Sequence, residues 1–249
     1  MSPRLEFAIE TAYRAGRLTL GLFQTGTPIH FKADDSPVTE ADRQAERLIR
    51  DAIAAHYPGE AILGEEEGLT GAGDTRWVLD PIDGTKSFVS GVPLFSTLLS
   101  FEEGGVPVLG VVVLPALNEV FAAERGGGST WNGRPCRVRS AESLDRATIA
   151  TGSASGFRAT GRWDGLGRLS DSGPVLRTWG DAYGHMLVAS GRIDAMVDPI
   201  VERWDLSAVA VIVEEAGGRF TDFDGRSGIH REAISSTPEI HRAVLEAFQ

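Results

Sequence analysis

The sequence predicts an α/β protein, and three observations carry that prediction. Apolar residues recur at helical spacing over two N-terminal stretches. Short apolar runs separated by glycine turns follow, and from about residue 145 strand-like and helix-like segments alternate. Residues 2–24 place Leu5, Ile9, Ala12 and Ala15 at helical intervals. A polar loop with Lys32, Asp34, Asp35 and Pro37 leads to a second helix opening at Thr39, in which Ala41, Ala45, Leu48, Ile49, Ala52 and Ile53 repeat until Pro58-Gly59 stops it. Ala61–Leu63, Trp77–Leu79, Phe95–Phe101, Val106–Leu114 and Glu119–Ala123 read as strands of an antiparallel meander, with turns at Gly104-Gly105 and Pro115–Asn118. Gly126–Gly128 and Asn132-Gly133 close this half.

In the second half Thr148–Thr151, Ala195–Val197 and Arg219–Thr221 are expected strands, and Ala182–Ser190 and Leu206–Glu215 expected helices. Residues 154–175 read as loop with one short helix. Thr237-Pro238 resembles a helix start, opening a final helix that reaches Phe248. No long linker interrupts the 249 residues, so one domain is expected, with subdomains of about 1–140 and 141–249.

Hydrophobic residues at 42% and charged residues at 24% suit a globular protein. The N-terminus reads as an amphipathic helix without the apolar core of a signal peptide, and no apolar run is long enough to span a bilayer. The single cysteine, Cys136, excludes an intramolecular disulfide framework and a multi-cysteine metal site. Together these features point to a cytoplasmic protein. A net charge of −11 disfavours nucleic acid as a partner, because that binding rests on lysine and arginine meeting phosphates. An acidic protein that handles phosphate reverses the local sign with bound divalent cations.

Four short stretches carry the chemistry. Trp77–Leu79 delivers Asp80 at its carboxyl end, where ligands gather in α/β sheets, and Asp83 follows three residues later. Two carboxylates so close repel unless a cation lies between them, and Gly84-Thr85 opens a helix start suited to an anion. In isolation, DxxDG is explained by a turn with a capping aspartate. Gly64-Glu65-Glu66-Glu67-Gly68 lies at another strand end, where a third carboxylate completes an oxygen-rich site suited to Mg²⁺ rather than zinc. Thr39-Glu40-Ala41-Asp42 is a capping box, compatible with Asp42 also facing a site. Asp205, in Glu202-Arg203-Trp204-Asp205, opens a helix that runs to Glu215-Ala216-Gly217-Gly218. Taken alone, it reads as an N-cap.

In this order and spacing, Thr39–Asp42, Gly64–Glu66, Asp80–Thr85 and Trp204–Asp205 with Glu215–Gly218 resemble the inositol monophosphatase superfamily of metal-dependent, lithium-sensitive phosphatases, over nearly the whole chain. The resemblance implies a layered αβαβα sandwich, a homodimer and a small phosphorylated metabolite as substrate. It implies that Glu65, Asp80 and the Ile82 carbonyl hold one Mg²⁺, that Asp80, Asp83 and Asp205 hold a second, and that a third, weaker ion binds near Glu65. A water oriented by Glu65 and Thr85, with Asp42 behind Thr85, would attack phosphorus in line, while the Gly84 and Thr85 amides bind phosphate oxygens.

Asp83-Gly84-Thr85-Lys86-Ser87-Phe88 (DGTKSF) followed by Ser90-Gly91-Val92-Pro93, and Thr178-Trp179-Gly180-Asp181-Ala182-Tyr183-Gly184-His185, resemble the histidinol-phosphate phosphatases of this superfamily. The resemblance brings Asp181 and Asp198 against the substrate's leaving group, with Glu202 as a third acid, a set suited to the cationic histidinol phosphate. Asp181 alone also reads as an N-cap. Inositol-1-phosphate is the alternative substrate, followed by adenosine 3′,5′-bisphosphate and fructose 1,6-bisphosphate.

Overall fold

The structure, a computed structural model, describes residues 1–32 and 36–249; Asp34 and Asp35 of the expected polar loop lie outside the described residues. Helices α1 (Pro3–Leu22) and α2 (Glu40–His56) flank a small hairpin of β1 (Ile29–Phe31) and β2 (Pro37–Thr39). The Ser2 side chain accepts the Leu5 N–H and so caps α1, with Pro3 in its first turn.

A large sheet follows from β3 (Ala61–Gly64), β4 (Gly68–Thr70), β5 (Thr75–Asp83), β6 (Ser96–Glu103), β7 (Val106–Leu114), β8 (Glu119–Glu124), β9 (Gly128–Trp131) and β10 (Arg134–Pro135). The short α3 (Thr85–Val89) lies between β5 and β6. The spatial order is β10-β9-β8-β7-β6-β5-β3-β4. A second sheet, ordered β12-β11-β13-β15-β14, is built from β11 (Thr148–Thr151), β12 (Val175–Arg177), β13 (Ala195–Asp198), β14 (Arg219–Thr221) and β15 (Ala233–Ser236). Its connections carry α4 (Ala154–Ala159), α5 (Trp163–Asp171), α6 (Asp181–Ala189) and α7 (Arg203–Glu215), and α8 (His241–Glu246) closes the chain.

Side-chain alternation along the strands sorts these elements into five layers. Leu99, Phe101, Val111 and Val113 pack with Leu5, Ala12, Ile49 and Ile53 of α1 and α2. Their strand neighbours Leu98, Val112 and Leu114 point the other way, into a core shared with Met186 of α6 and Leu206, Val209 and Ile212 of α7. In the second sheet Ala150 and Met196 turn toward α6, whereas Ile149, Ala195 and Val197 pack on Phe157, Leu169 and Val244 of α4, α5 and α8. The result is the αβαβα sandwich. Because α7 lies between two sheets it is apolar on every side, with each residue from Leu206 to Val213 buried. Each fully buried valine or isoleucine there contributes about 1.5–3 kcal/mol relative to exposure. Gly110 makes this closeness possible, since a Cβ on it would lie 2.4 Å from the Ala208 carbonyl oxygen.

The structure corrects several local expectations. The first sheet is not a pure meander: β3 runs parallel to β5, because β4 folds back onto the outer edge of β3 before the chain returns. The glycines at 126–128 and Asn132-Gly133 are turns within the sheet, which continues through β9 and β10. Residues 154–175 hold two helices, separated by Gly161 at φ +72°. The last helix starts at His241, four residues beyond Thr237, because the Thr237 N–H is committed to the Asp194 carbonyl beside the sheet. Among the described residues no helix is long and apolar enough to cross a membrane.

Candidate active site

Two adjacent strand ends and one bulge assemble the acidic residues. Gly64 pairs with Leu79 across the parallel β3–β5 ladder, so the next residues, Glu65 and Asp80, come side by side. In a regular strand Asp80 and Asp83, three apart, would point to opposite faces. Here Asp80 lies opposite Leu98 and Asp83 opposite Ser96, three residues matched to two. The bulge absorbs the extra residue and brings both carboxylates to one side. The Thr97 hydroxyl secures it by donating to the Pro81 carbonyl at 2.8 Å, and the Ile82 N–H donates to Asp80 Oδ1 at 3.0 Å.

Asp205 comes from the first turn of α7, where its Oδ2 accepts the Glu202 N–H at 2.7 Å. Buried Glu102 ties that helix end to β6, accepting from the Ser207 hydroxyl at 2.7 Å and from Arg203 at 2.6 Å. Carboxylate oxygens of Asp80, Asp83 and Asp205 lie within 4.8 Å of one another. Two oxygens bound to one hard cation at about 2.0–2.6 Å are separated by up to roughly 4–5 Å, so this spacing suits a shared ion.

The electrostatics agree. Burial pushes the Asp80 carboxyl well above its ordinary range, and the charges of Glu65, Asp83 and Asp205 push it further. Asp83 is raised by burial and by Asp181 and Asp205. Burial, with Glu65 and Asp181 adding to it, brings Asp205 up to about 7. A cluster of this kind stays fully ionised only with a cation among its oxygens, and an all-oxygen donor set fits a hard cation.

Asp42 does two things at once. Its Oδ2 accepts the Thr39 N–H and hydroxyl at 2.8 and 2.6 Å, completing the capping box of α2. Its Oδ1 lies 3.4 Å from the Thr85 hydroxyl, which also donates to the Ile82 carbonyl at 2.8 Å. Gly84 precedes α3 at φ +79°, a conformation glycine adopts without strain. A Cβ at Gly84 would approach Asp181 Oδ2 to 3.0 Å. Lys32 bridges Glu65 and Glu66, 2.7 Å from each.

A cavity of about 600 Å³ opens beside the cluster. Asp83 and Asp205 line it, as do Asp181 and Asp198. Asp181 is the first residue of α6, with Gly180 as the N-cap, and holds φ +57°, a left-handed conformation that aspartate tolerates better than most residues. The next amide, Ala182 N–H, donates to Asp83 Oδ2 at 2.9 Å and couples this wall to the cluster. Asp198 ends β13, and burial with the charges of Asp181 and Asp205 raises its carboxyl well above the usual range.

Glu202 is different: it does not line the cavity. It is the N-cap residue of α7 and its carboxylate is ion-paired with Arg231. Thr151 and Ser153 also line the cavity, single polar residues with no motif of their own, and Thr178 and His185 line it from the two ends of the segment that contains Asp181. Lys86 was read only as part of DGTKSF, although it lines the cavity and its charge acts on Asp181.

Fold and site together define an α/β sandwich with a buried carboxylate cluster, fit to hold a hard cation, beside a cavity. The sequence profile of the inositol monophosphatase family matches residues 1–249. A histidinol-phosphatase of Chlorobaculum parvum is 44% identical over 232 residues, covering 92% of this chain and 89% of that protein. A fructose-1,6-bisphosphatase/inositol-1-monophosphatase of Thermotoga maritima is 38% identical over 247 residues, covering 98% and 94%. Among solved structures, a Thermotoga maritima IMPase superposes with a TM-score of 0.91 at 36% identity, covering 99% of this chain and 97% of that one. The chain belongs to the inositol monophosphatase family. It is a phosphoric monoester hydrolase acting on a small phosphorylated compound.

Proposed function

We propose that this protein hydrolyses histidinol phosphate to histidinol with Mg²⁺ as cofactor. The observation that carries the substrate assignment is the pair of buried acids, Asp181 and Asp198, lining the cavity next to the carboxylate cluster. A neutral polyol offers these acids hydroxyl hydrogen bonds alone, whereas an ammonium and an imidazole also neutralise their charge. The 44% identical histidinol-phosphatase of Chlorobaculum parvum supports the same reading.

Glu65, Asp80, Asp83, Asp205 and the Ile82 carbonyl would hold two or three Mg²⁺ ions, which when bound supply charge to activate water and to stabilise the leaving oxygen. The chain's own residues do the rest. Glu65 and the Thr85 hydroxyl orient a water toward phosphorus, and Asp42 keeps Thr85 in place from behind. The Gly84 and Thr85 amides bind phosphate oxygens. Asp181 and Asp198 hold the cationic organic part, so that binding energy remote from phosphorus fixes the ester in line.

Inositol-1-phosphate is the second reading, favoured by the hydroxyls of Thr151, Ser153, Ser155 and Thr178 along the cavity and by the Thermotoga relative. Bisphosphates fit less well, since among the described residues that line the cavity Lys86 is the only lysine or arginine. Phosphate release from histidinol phosphate, inositol-1-phosphate, adenosine 3′,5′-bisphosphate and fructose 1,6-bisphosphate tests the assignment. A preference for histidinol phosphate of at least tenfold is expected; equal rates on inositol-1-phosphate would sink it. Turnover should stop on full metal removal and return with Mg²⁺. The reading includes a lithium-sensitive homodimer working in the cytoplasm, a state that sedimentation velocity checks.

A further inference from the structure

The turn that presents Glu65 carries three consecutive glutamates, an arrangement that repels itself. Residues 65–67 form the three-residue loop of the β3–β4 hairpin, with Gly64 paired to Gly68 and Gly68 at φ +68°. Lys32 offsets the charges of Glu65 and Glu66 and Arg50 that of Glu67, while from below the loop backbone is held by a pair on α2, Glu46 and Arg50. Glu46, one helical turn beyond Asp42, is completely buried. Its Oε2 accepts the Glu66 N–H at 2.9 Å and its Oε1 accepts the Glu67 N–H at 3.0 Å and Arg50 Nε at 2.8 Å. Arg50 in turn donates to the Gly68 carbonyl at 2.6 Å and the Thr70 hydroxyl at 2.9 Å. The loop backbone is thus held from Glu66 to Gly68, immediately after the point where Glu65 leaves it.

Gly64 belongs to the same device. A Cβ at this position would lie 2.2 Å from Glu46 Oε1 and 2.9 Å from Arg50 Nη2, so any other residue expels the carboxylate from the loop. The glycine before the glutamates therefore answers to Glu46, since its own φ is not in the left-handed region.

We propose that Glu46 is a positioning residue of the metal centre: by holding the amides of Glu66 and Glu67 it sets the direction of Glu65 beside Asp80, and Gly64 is small to admit it. This rests on the reading that Glu65 and Asp80 hold a cation. Outer-shell groups that orient ligands typically govern about 10- to 100-fold in metal affinity.

The test is Mn²⁺ binding by calorimetry and electron paramagnetic resonance on the full chain, with Glu46→Gln, Glu46→Ala, Gly64→Ala, Asp80→Asn and Leu169→Ala. Leu169 lies in the outermost core, remote from the loop, and serves as a destabilised control. The expected result is weaker Mn²⁺ binding, by about 10- to 100-fold, in folded Glu46→Ala and Gly64→Ala. The isosteric Glu46→Gln, which keeps one acceptor and covers the case in which Glu46→Ala does not fold, should fall in between, and Leu169→Ala should bind as wild type. The proposal is overturned if the folded Glu46 variants bind Mn²⁺ like wild type, or lose no more than Leu169→Ala. If Asp80→Asn binds Mn²⁺ as wild type does, the metal reading fails and the proposal fails with it.

Discussion

Replacing Asp181 with asparagine separates recognition of the substrate's organic part from chemistry at phosphorus. The substitution keeps the shape of a residue that sits at φ +57° and close to Gly84, and removes one charge from the cavity wall. Asp181 is buried beside Asp83 and Asp198, and the charge of Lys86 partly offsets it. For an ammonium roughly 5 Å away, at an effective dielectric of about 20–40, the lost attraction is about 2–3 kcal/mol. That corresponds to a roughly 30- to 150-fold fall in kcat/KM for histidinol phosphate. Inositol-1-phosphate carries no cation in its leaving group and should change by less than about threefold by the same argument. Steady-state phosphate release on both substrates at saturating Mg²⁺ provides the assay. Equal losses on both would mean that Asp181 acts through the metal cluster, and no loss on either would refute the cation-recognition argument.

Two further expectations concern the scaffold. Gly110→Ala places a methyl group 2.4 Å from the Ala208 carbonyl and 2.6 Å from its Cα, where only backbone can yield. Overpacking of this kind costs about 1–3 kcal/mol, or roughly 2–6 °C in Tm for a chain of this size, and unchanged melting would show that α7 can shift freely. The second is a pH effect. Burial pushes the imidazole of His185 down to about 3, while its Nδ1 lies 2.6 Å from the Ser235 hydroxyl. Below its ordinary pKa of about 6.5 the unfolded chain binds a proton that the folded chain refuses. Stability therefore falls as pH drops from about 6.5 toward 3, by up to about 1.4 kcal/mol per pH unit from this group. His241, pushed down to about 4 by burial, adds to the slope. Urea unfolding between pH 7 and 4.5 should show a shallower loss for His185→Asn than for wild type, and parallel curves would contradict the assignment.

Much of the candidate site was legible because its carboxylates sit in short contiguous strings. Asp80 and Asp83, Glu65, and Thr39 with Asp42 each lie within a few residues of a strand end or helix start, and local spacing is what a sequence displays. The helices α1, α2, α6 and α7 were legible for the same reason, through apolar periodicity or a helix-start signal. What the sequence could not display were the contacts that join distant segments. β15, with only Ala233 and Ile234 apolar, is a strand because β13 and β14 pair with both its edges, and Thr237 is kept out of a helix by the Asp194 carbonyl. Glu202 and Asp205 are neighbours on one helix start, yet one faces Arg231 and the other the cluster, a choice made by packing.

By itself, then, the sequence determined which carboxylates are present, the strand and helix ends that carry them, and the family pattern they make. Only the tertiary structure decided which of them meet. Asp80 and Asp83 share a side because β6 supplies two residues where β5 supplies three, and Glu65 stands beside Asp80 because β3 runs parallel to β5 and Glu46 grips its loop. The physical reason is that register, bulges and buried hydrogen bonds are properties of pairs of segments far apart in the chain, and a pair has no signature in either segment alone.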